Sequence, residues 1–253
     1  MGNREIDPRL QELIDKGCSI YSISRLNCLN TCPYQAYLNY IRHETQTPNV
    51  WAECGGIIHD RLEDCVKNGT DESQILLAIN EELENLQILD IDFPLDKNGN
   101  PTLRNNWVAN MTRFAKEFKT PVGKFETEQL ILYPVKDNVY MQGYIDLIKH
   151  NADGSIDIID WKTSSQFTGN HLVEAGRQLI LYALAKQLEG YTVRKLRWVM
   201  MKYCETTWTL KNGKEKSKVS EWRNLIKDLS NPIEKALVDI GWDEVDIECT
   251  LSE

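Results

Sequence analysis

The sequence predicts an α/β (α+β) fold, a sandwich whose core runs helix, three strands, helix, strand (αβββαβ). Additional helices precede this core and one helix follows it. Three observations carry the prediction. Apolar residues recur at helical spacing through about the first hundred positions. Three β-patterned runs then follow, divided only by short polar turns. A second helical run finally leads into another apolar strand.

Ser24 to Ile41, Cys54 to Val66 and Ile75 to Ile88 carry the early helical pattern, the last with Ile75, Leu76, Ile79, Leu83 and Leu86 on one face. Asp71 or Ser73 is placed to cap that third helix. The turn-rich stretch Phe93 to Pro101 marks the clearest internal break. A helix from about Leu103 to Phe118 ends before Pro121. Phe125 to Val135, Val139 to Lys149 and Ser155 to Lys162 read as strands, separated by Lys136-Asp137-Asn138 and by Asn151-Ala152-Asp153-Gly154. Connections this short imply an antiparallel meander. A helix over His171 to Leu188 precedes a strand from Val193 to Tyr203. A shorter strand over Thr206 to Leu210 is expected to pair with it, and a last helix covers Ser220 to Ile240. The chain reads as one domain, 1–253, mainly helical over 1–120, sheet-forming with its helix over 121–210, and closing in a helix and tail over 211–253.

Composition is that of a soluble globular protein, with 42% hydrophobic and 26% charged residues. No stretch reaches the ~18 apolar residues of a membrane helix, and the first residues lack the apolar centre of a secretory signal. A cytoplasmic location is therefore expected. Seven cysteines without a C-x-x-C argue against a disulfide framework and against structural zinc. The net charge of −9 is unevenly spread. Asp71 to Asp96 holds eight acidic residues and no Lys, Arg or His. Tyr191 to Lys218 holds eight Lys or Arg against two Glu, interleaved with Trp198, Tyr203 and Trp208. Within that basic, aromatic stretch Arg194, Lys195 and Arg197 are candidate nucleic-acid contacts.

The chemistry-bearing residues lie on the second and third strands. Asp146 stands between Ile145 and Leu147, where an ionised group is costly unless paired or bound to a cation. Asp160 ends the third strand and Lys162 follows two residues later, so both project from one face while Trp161 points away. The Trp161 carbonyl is then free to act as a metal ligand.

The runs GYID and IIDWKTS, joined by a turn containing Asp153-Gly154, resemble the catalytic hairpin of the PD-(D/E)XK nuclease superfamily, in its RecB-like branch. GGIIHDRLE is similar to that branch's G-x-x-x-H-x-x-x-E helix, RQLILYALA to its Q-x-x-x-Y helix, and YSISRLNCLNTCPYQAYLNY to its N-terminal S-x-S-x-L…C-P-x-x-x-Y segment. Five short motifs in the family's order cover about Ser22 to Tyr182.

The resemblance implies a restriction-endonuclease-like core and a DNA nuclease. The expected enzyme is an exonuclease or end-processing enzyme of recombination, repair or phage DNA metabolism. It implies one or two Mg²⁺ or Mn²⁺ ions held by His59, Asp146, Asp160 and the Trp161 carbonyl. Lys162 would assist the attacking water, with Gln178 and Tyr182 supporting it. Glu63 falls outside the ligand set. Thr163 and Ser164 are candidate phosphate contacts, and Glu126 or Glu128 matches an acidic residue of the family's first strand. Some relatives carry an iron–sulfur cluster. Here Cys28, Cys32, Cys204 and Cys249 are too scattered to make one expected. No G-x-x-x-x-G-K-S/T occurs, so any unwinding falls to a helicase or recombination partner, and a homo-oligomer fits the family. The competing readings are a restriction-type endonuclease and a non-catalytic DNA- or protein-binding module, such as an inhibitor, on the same scaffold.

Overall fold

The computed structural model describes residues 6–44, 49–164, 167 and 170–201, with the strand segments 206–209, 215–218 and 228–229. The chain begins with α1 (Pro8–Asp15), started by Pro8 at the first helical position and by Asp7, whose carboxylate accepts from Arg9 N. A four-residue strand, β1 (Ser19–Ser22), follows, and no feature of the sequence had marked it.

The stretch expected as one helix from Ser24 to Ile41 is two, α2 (Ile23–Thr31) and α3 (Pro33–Tyr40). The cause is local. Pro33 has no N–H to continue α2, and it forces Cys32 into an extended conformation, φ −153° and ψ 97°. Cys32 Sγ then caps α3 by accepting from Gln35 N.

Three longer helices come next: α4 (Val50–Asn68), α5 (Ser73–Ile88) and α6 (Thr102–Glu117). Gly69, at φ 67°, stops α4 in the left-handed conformation that glycine adopts without strain. Asp71 accepts from Ser73 N just before α5, but the N-cap position is Glu72, whose side chain makes no cap bond, and Ser73 is the first helical residue. In the turn between α5 and α6, Asp96 accepts from Asn98 N, Asn100 N and Thr102 Oγ1. Those donors hold its carboxyl down at about 2.

The meander is as expected. β2 (Lys124–Lys136), β3 (Val139–His150) and β4 (Ile156–Lys162) pair antiparallel in sequence. Helix α7 (Asn170–Leu188) then returns the chain so that β5 (Val193–Met200) lies parallel to β4. Strand β1 adds parallel to β3 through Ser19↔Val139 to Ser22↔Gln142. Helices cover both faces. One face, with Ile145, Ile148, Ile156, Ile158 and Leu196, packs on α7 and on Leu26 of α2. The other, with Leu147, Ile159, Trp161 and Val199, packs on α4, α5 and α6. This is the mixed α/β sandwich, with its core in the order αβββαβ, that the element pattern predicted.

Two C-terminal expectations are corrected. β6 (Thr206–Thr209) pairs with β7 (Glu215–Lys218), the next strand in sequence, and not with β5. Asp228–Leu229, inside the expected last helix, forms β8, antiparallel to β5. There it covers an edge whose backbone groups would otherwise lie open. The remainder of that expected helix lies outside the described residues.

Candidate active site

The site begins with a break in alternation. Residues two apart in a strand share a face, yet Ile145 faces α7 while Leu147 faces α4. The partner strand does the same, since Ile131 faces α7 and Phe125 the α4 side. The switch falls where the ladder skips a pair, between Gln129↔Ile145 and Thr127↔Leu147. The two residues at that gap are Glu128, at the left-handed φ of 50°, and Asp146. Asp146 is thereby freed from either face and turns toward β4. Its Oδ2 accepts from Trp161 N at 2.6 Å, taking the place of a backbone carbonyl in the ladder.

Beyond Ile159, β3 and β4 part. Their pairing runs from His150↔Ile156 only as far as Leu147↔Ile159. On the same edge of β3, β1 holds Val139 to Gln142. Gly143 to Asp146 therefore faces a seam between β1 and β4, and the expected site residues gather there.

Asp160 and Lys162 share a face, as their spacing predicted, with Lys162 Nζ 2.7 Å from Asp160 Oδ2. The ammonium also donates to Gln178 Oε1 at 3.2 Å, and Gln178 Nε2 donates to Tyr182 Oη at 2.8 Å. Gln178 and Tyr182, one helical turn apart on α7, thus form a chain that ends on the lysine. From α4, His59 Nδ1 stands 3.6 Å from Asp146 Oδ1, and its ring meets the Trp161 indole edge-on at 6.1 Å. Lys162 O is bonded to Met201 N on the β5 side. Backbone groups alternate along a strand, so the Trp161 carbonyl points, like its N–H, toward Asp146.

Charge is concentrated here. Burial raises Asp160, the Lys162 ammonium opposes that and the Asp146 carboxylate adds to it, leaving the carboxyl pushed up to about 6. Burial works against the Lys162 charge as well, but the Asp160 carboxylate outweighs it and holds the ammonium above its ordinary range. His59 behaves alike, with burial opposing protonation and the hydrogen bond to Asp146 raising it on balance. Burial drives the Tyr182 phenol upward, so it stays neutral.

Two glycines explain why the strands and helices approach so closely. A Cβ on Gly143 would fall 2.6 Å from Tyr182 Cε1, so the glycine of GYID is the seat of that ring. A Cβ on Gly55 would meet Thr163 Oγ1 at 3.3 Å, which accounts for the glycine one turn before His59 on α4. Beside this cluster, Ser22, Ser24, Gln142, Gly143, Gln178 and Tyr182 line a pocket of about 210 Å³. Gln142 Oε1 is buried there and accepts no hydrogen bond among the described residues. Ser22, Ser24, Gln142 and Gly143 were not singled out as site residues. The only signal for them lay within the short runs YSISRL and GYID.

Other expected residues go elsewhere. Arg194 donates through Nε and Nη2 to the two carboxylate oxygens of Asp157, each at 3.0 Å, and Nη2 reaches Asn151 Oδ1 at 3.1 Å. Arg197 Nη2 lies 3.9 Å from the same carboxylate. Lys195 is half-buried opposite Asp157 in the register. All three thus sit by the end of β4 remote from Lys162. Ser164 is exposed just past β4 and Thr163 is half-buried. Glu63 pairs with Lys67 on its own helix. Glu126 bonds His150 Nε2 at 2.6 Å, whereas Glu128 marks the face switch. Cys28 and Cys32 are free thiols, and Cys204 and Cys249 lie outside the described residues.

His59, Asp146 and Asp160 are neighbours, although among the described residues no three His, Cys, Asp or Glu side chains close into a metal-holding group. Their chemistry nevertheless suits a hard divalent cation, with two carboxylates, an imidazole and an inward carbonyl. Asp160 Oδ2 is also buried without a well-aligned hydrogen bond, its charge answered by Lys162 alone of the contacts above.

The family model of the PD-(D/E)XK nuclease superfamily matches residues 20–244, and the chain belongs to that superfamily. Its function is accordingly of the nuclease type. No protein of curated function matches it. Among solved structures it is similar to a candidate exonuclease from Eubacterium rectale, at 9% identity and a TM-score of 0.44, over 99% of this chain and 88% of that one. A second, SSO0001, is 13% identical with a TM-score of 0.29, over 96% and 82%. Among the described residues no helix is long and apolar enough to cross a membrane.

Proposed function

We propose that this protein is a divalent-metal-dependent deoxyribonuclease that hydrolyses phosphodiester bonds at DNA ends. The observation that carries the reading is the buried Asp160, paired with the half-buried Lys162 and set beside Asp146 and His59 in a seam of the sheet. A structural ion pair gains nothing from a second carboxylate that raises one partner, whereas a site built to receive a divalent cation requires that extra negative charge.

His59, Asp146, Asp160 and the Trp161 carbonyl are the groups that would hold the ion. Mg²⁺ or Mn²⁺ bound there would lower the pKa of a water and neutralise charge on phosphate oxygens. The residues do the rest. Asp160 and Gln178 fix the Lys162 amine from two directions. The amine is then set to orient the attacking water or to meet the charge developing on the phosphate, with no reorganisation during the reaction. Tyr182 holds Gln178 in turn, and its own ring is held over Gly143. Trp161 N–H keeps the Asp146 carboxylate aimed into the seam.

The test is a time course on end-labelled single-stranded, double-stranded and circular DNA with Mg²⁺, Mn²⁺ or EDTA. Cleavage of linear DNA that requires the metal and spares the circle supports the proposal. Failure to cut any substrate with either metal defeats it.

A further inference from the structure

The part of the chain least like the rest in charge lies next to the seam. From Lys16 to His43 there is no Asp or Glu, although the whole chain carries −9. This segment forms β1, α2 and α3, and it encloses a groove of about 240 Å³ lined by Tyr21, Arg25, Leu29, Tyr37, Tyr40 and Ile41. Two of these, Tyr37 and Ile41, are well exposed, at 46% and 59%. The Arg25 guanidinium lies over the Tyr21 ring at 4.7 Å and over Tyr40 at 5.3 Å. It is anchored by a bond from Nη1 to Ile20 O at 3.1 Å, and among the described residues no carboxylate pairs with it. A fixed cation between two rings, with an exposed aromatic beside it, answers both components of a single-stranded nucleic acid, phosphate and base face.

Position adds the second argument. Ser22 and Ser24 line the pocket that reaches Gln178 and Tyr182, while Tyr21 and Arg25, adjacent to them in the chain, line the groove. The two cavities are therefore lined by neighbouring residues of one segment, Tyr21 to Arg25.

We infer that the Tyr21–Arg25–Tyr37–Tyr40 groove binds single-stranded DNA continuous with the strand in the active site, a phosphate at Arg25 and a base on Tyr37. The inference rests on the nuclease reading and names the form of DNA that this reading leaves open. Stacking is indifferent to base identity, so the groove selects strandedness and not sequence.

The experiment measures binding by the full chain in EDTA, where no cleavage intervenes. It uses fluorescent single-stranded oligonucleotides, blunt duplexes of equal length, and single strands carrying 2-aminopurine as a stacking reporter. Tyr37→Ala is expected to weaken single-strand binding about tenfold, to abolish part of the 2-aminopurine quenching, and to change duplex affinity little. Tyr37→Trp is expected to restore both losses, and Tyr191→Ala, an aromatic truncation beside Lys186 in the last turn of α7, to change neither. Equal loss for duplex and single strand, or single-strand affinity unaltered in Tyr37→Ala, overturns the groove assignment. A fall in melting temperature with DNA binding intact would mean that the groove serves the protein's own packing, which also overturns it. Metal-dependent cleavage by the wild type, followed in parallel, separates this result from failure of the nuclease reading.

Discussion

Strand β4 carries two buried aspartates near its two ends, and they have opposite fates. Asp157 is fully buried, yet each carboxylate oxygen has a partner: Arg194 reaches both, and Asn151 Nδ2 donates to Oδ1 at 3.0 Å. The sheet is arranged to make this happen. Between Ile156↔Val193 and Asp157↔Lys195 the register slips by one, leaving Arg194 as the extra residue of a bulge that turns its guanidinium onto Asp157. Asp160, 1% exposed, has a lysine at one oxygen and a second carboxylate nearby, and it is pushed up to about 6. A buried carboxylate that the fold satisfies is scaffolding. One left short of donors is held ready for something else. The basic residues at 194 and 197, which by composition alone suggested DNA contact, belong to the satisfied end.

The contrast can be broken by exchanging what each end loses. The largest effect expected is on chemistry. Asp160→Asn, which keeps shape and leaves an acceptor for Lys162, should lower cleavage by about a thousandfold or more while the circular dichroism spectrum and cooperative unfolding persist. Near-wild-type turnover in that variant would place the chemistry elsewhere. At the other end Arg194→Ala takes the two-oxygen partner from a buried carboxylate and leaves it Asn151 and the more distant Arg197. Urea denaturation should show a loss of about 3 kcal/mol, with the turnover of the protein that remains folded unchanged. A smaller loss is expected from Gly143→Ala, since the added methyl must push Tyr182 away and strain its bond to Gln178. Overpacking of this kind costs about 1–2 kcal/mol, and the cleavage rate should drop with it.

The smallest effect is a matter of sign. The folded value for Asp160, about 6, lies above the ordinary 3.8, so between these pH values the folded protein binds more protons than the unfolded one. In EDTA the Asp160 contribution should therefore diminish stability as pH climbs from about 4 to about 6 and level off above that. Asp96, held at about 2, works the other way: its contribution is complete above 3.8 and is lost as pH falls toward 2. Denaturation of wild type and Asp160→Asn side by side across this range isolates the first term. A difference between them that does not vary with pH would remove the basis for the comparison.

Much of this was legible in the sequence because it rests on local pattern. The meander followed from three alternating runs and two short turns, and the Asp160–Lys162 pairing followed from a spacing of two on a strand. The Gln178–Tyr182–Lys162 chain required the helix motif as well. What stayed hidden was set by contacts distant in sequence. Strand β1 is four residues long, lies against a helical pattern and exists because β3 offers it an edge. The face switch at Glu128 and Asp146 violates the very alternation that strand reading assumes, so Ile-Asp-Leu looked like a charge inserted in an ordinary strand. The role of Arg194 depends on a one-residue slip in a parallel ladder that composition cannot reveal. The break at Cys32–Pro33, by contrast, was visible as a proline and was overridden by the helical spacing on either side of it.

The pairing of β1 with β3 bears on how the molecule assembles. The meander and its turns involve near neighbours in the chain, whereas Ser19 meets Val139 only after the helices between them have been folded back. Loop-closure entropy makes such a union late. The β3–β4 hairpin would thus exist for a time with its seam unwalled, and the proposed site would be complete only with the last strand to dock. In pulse-labelled exchange during refolding, the amides of Ile20 and Tyr21 should gain protection after those of Leu147 and Ile148, and nuclease activity should return on the slower of the two clocks.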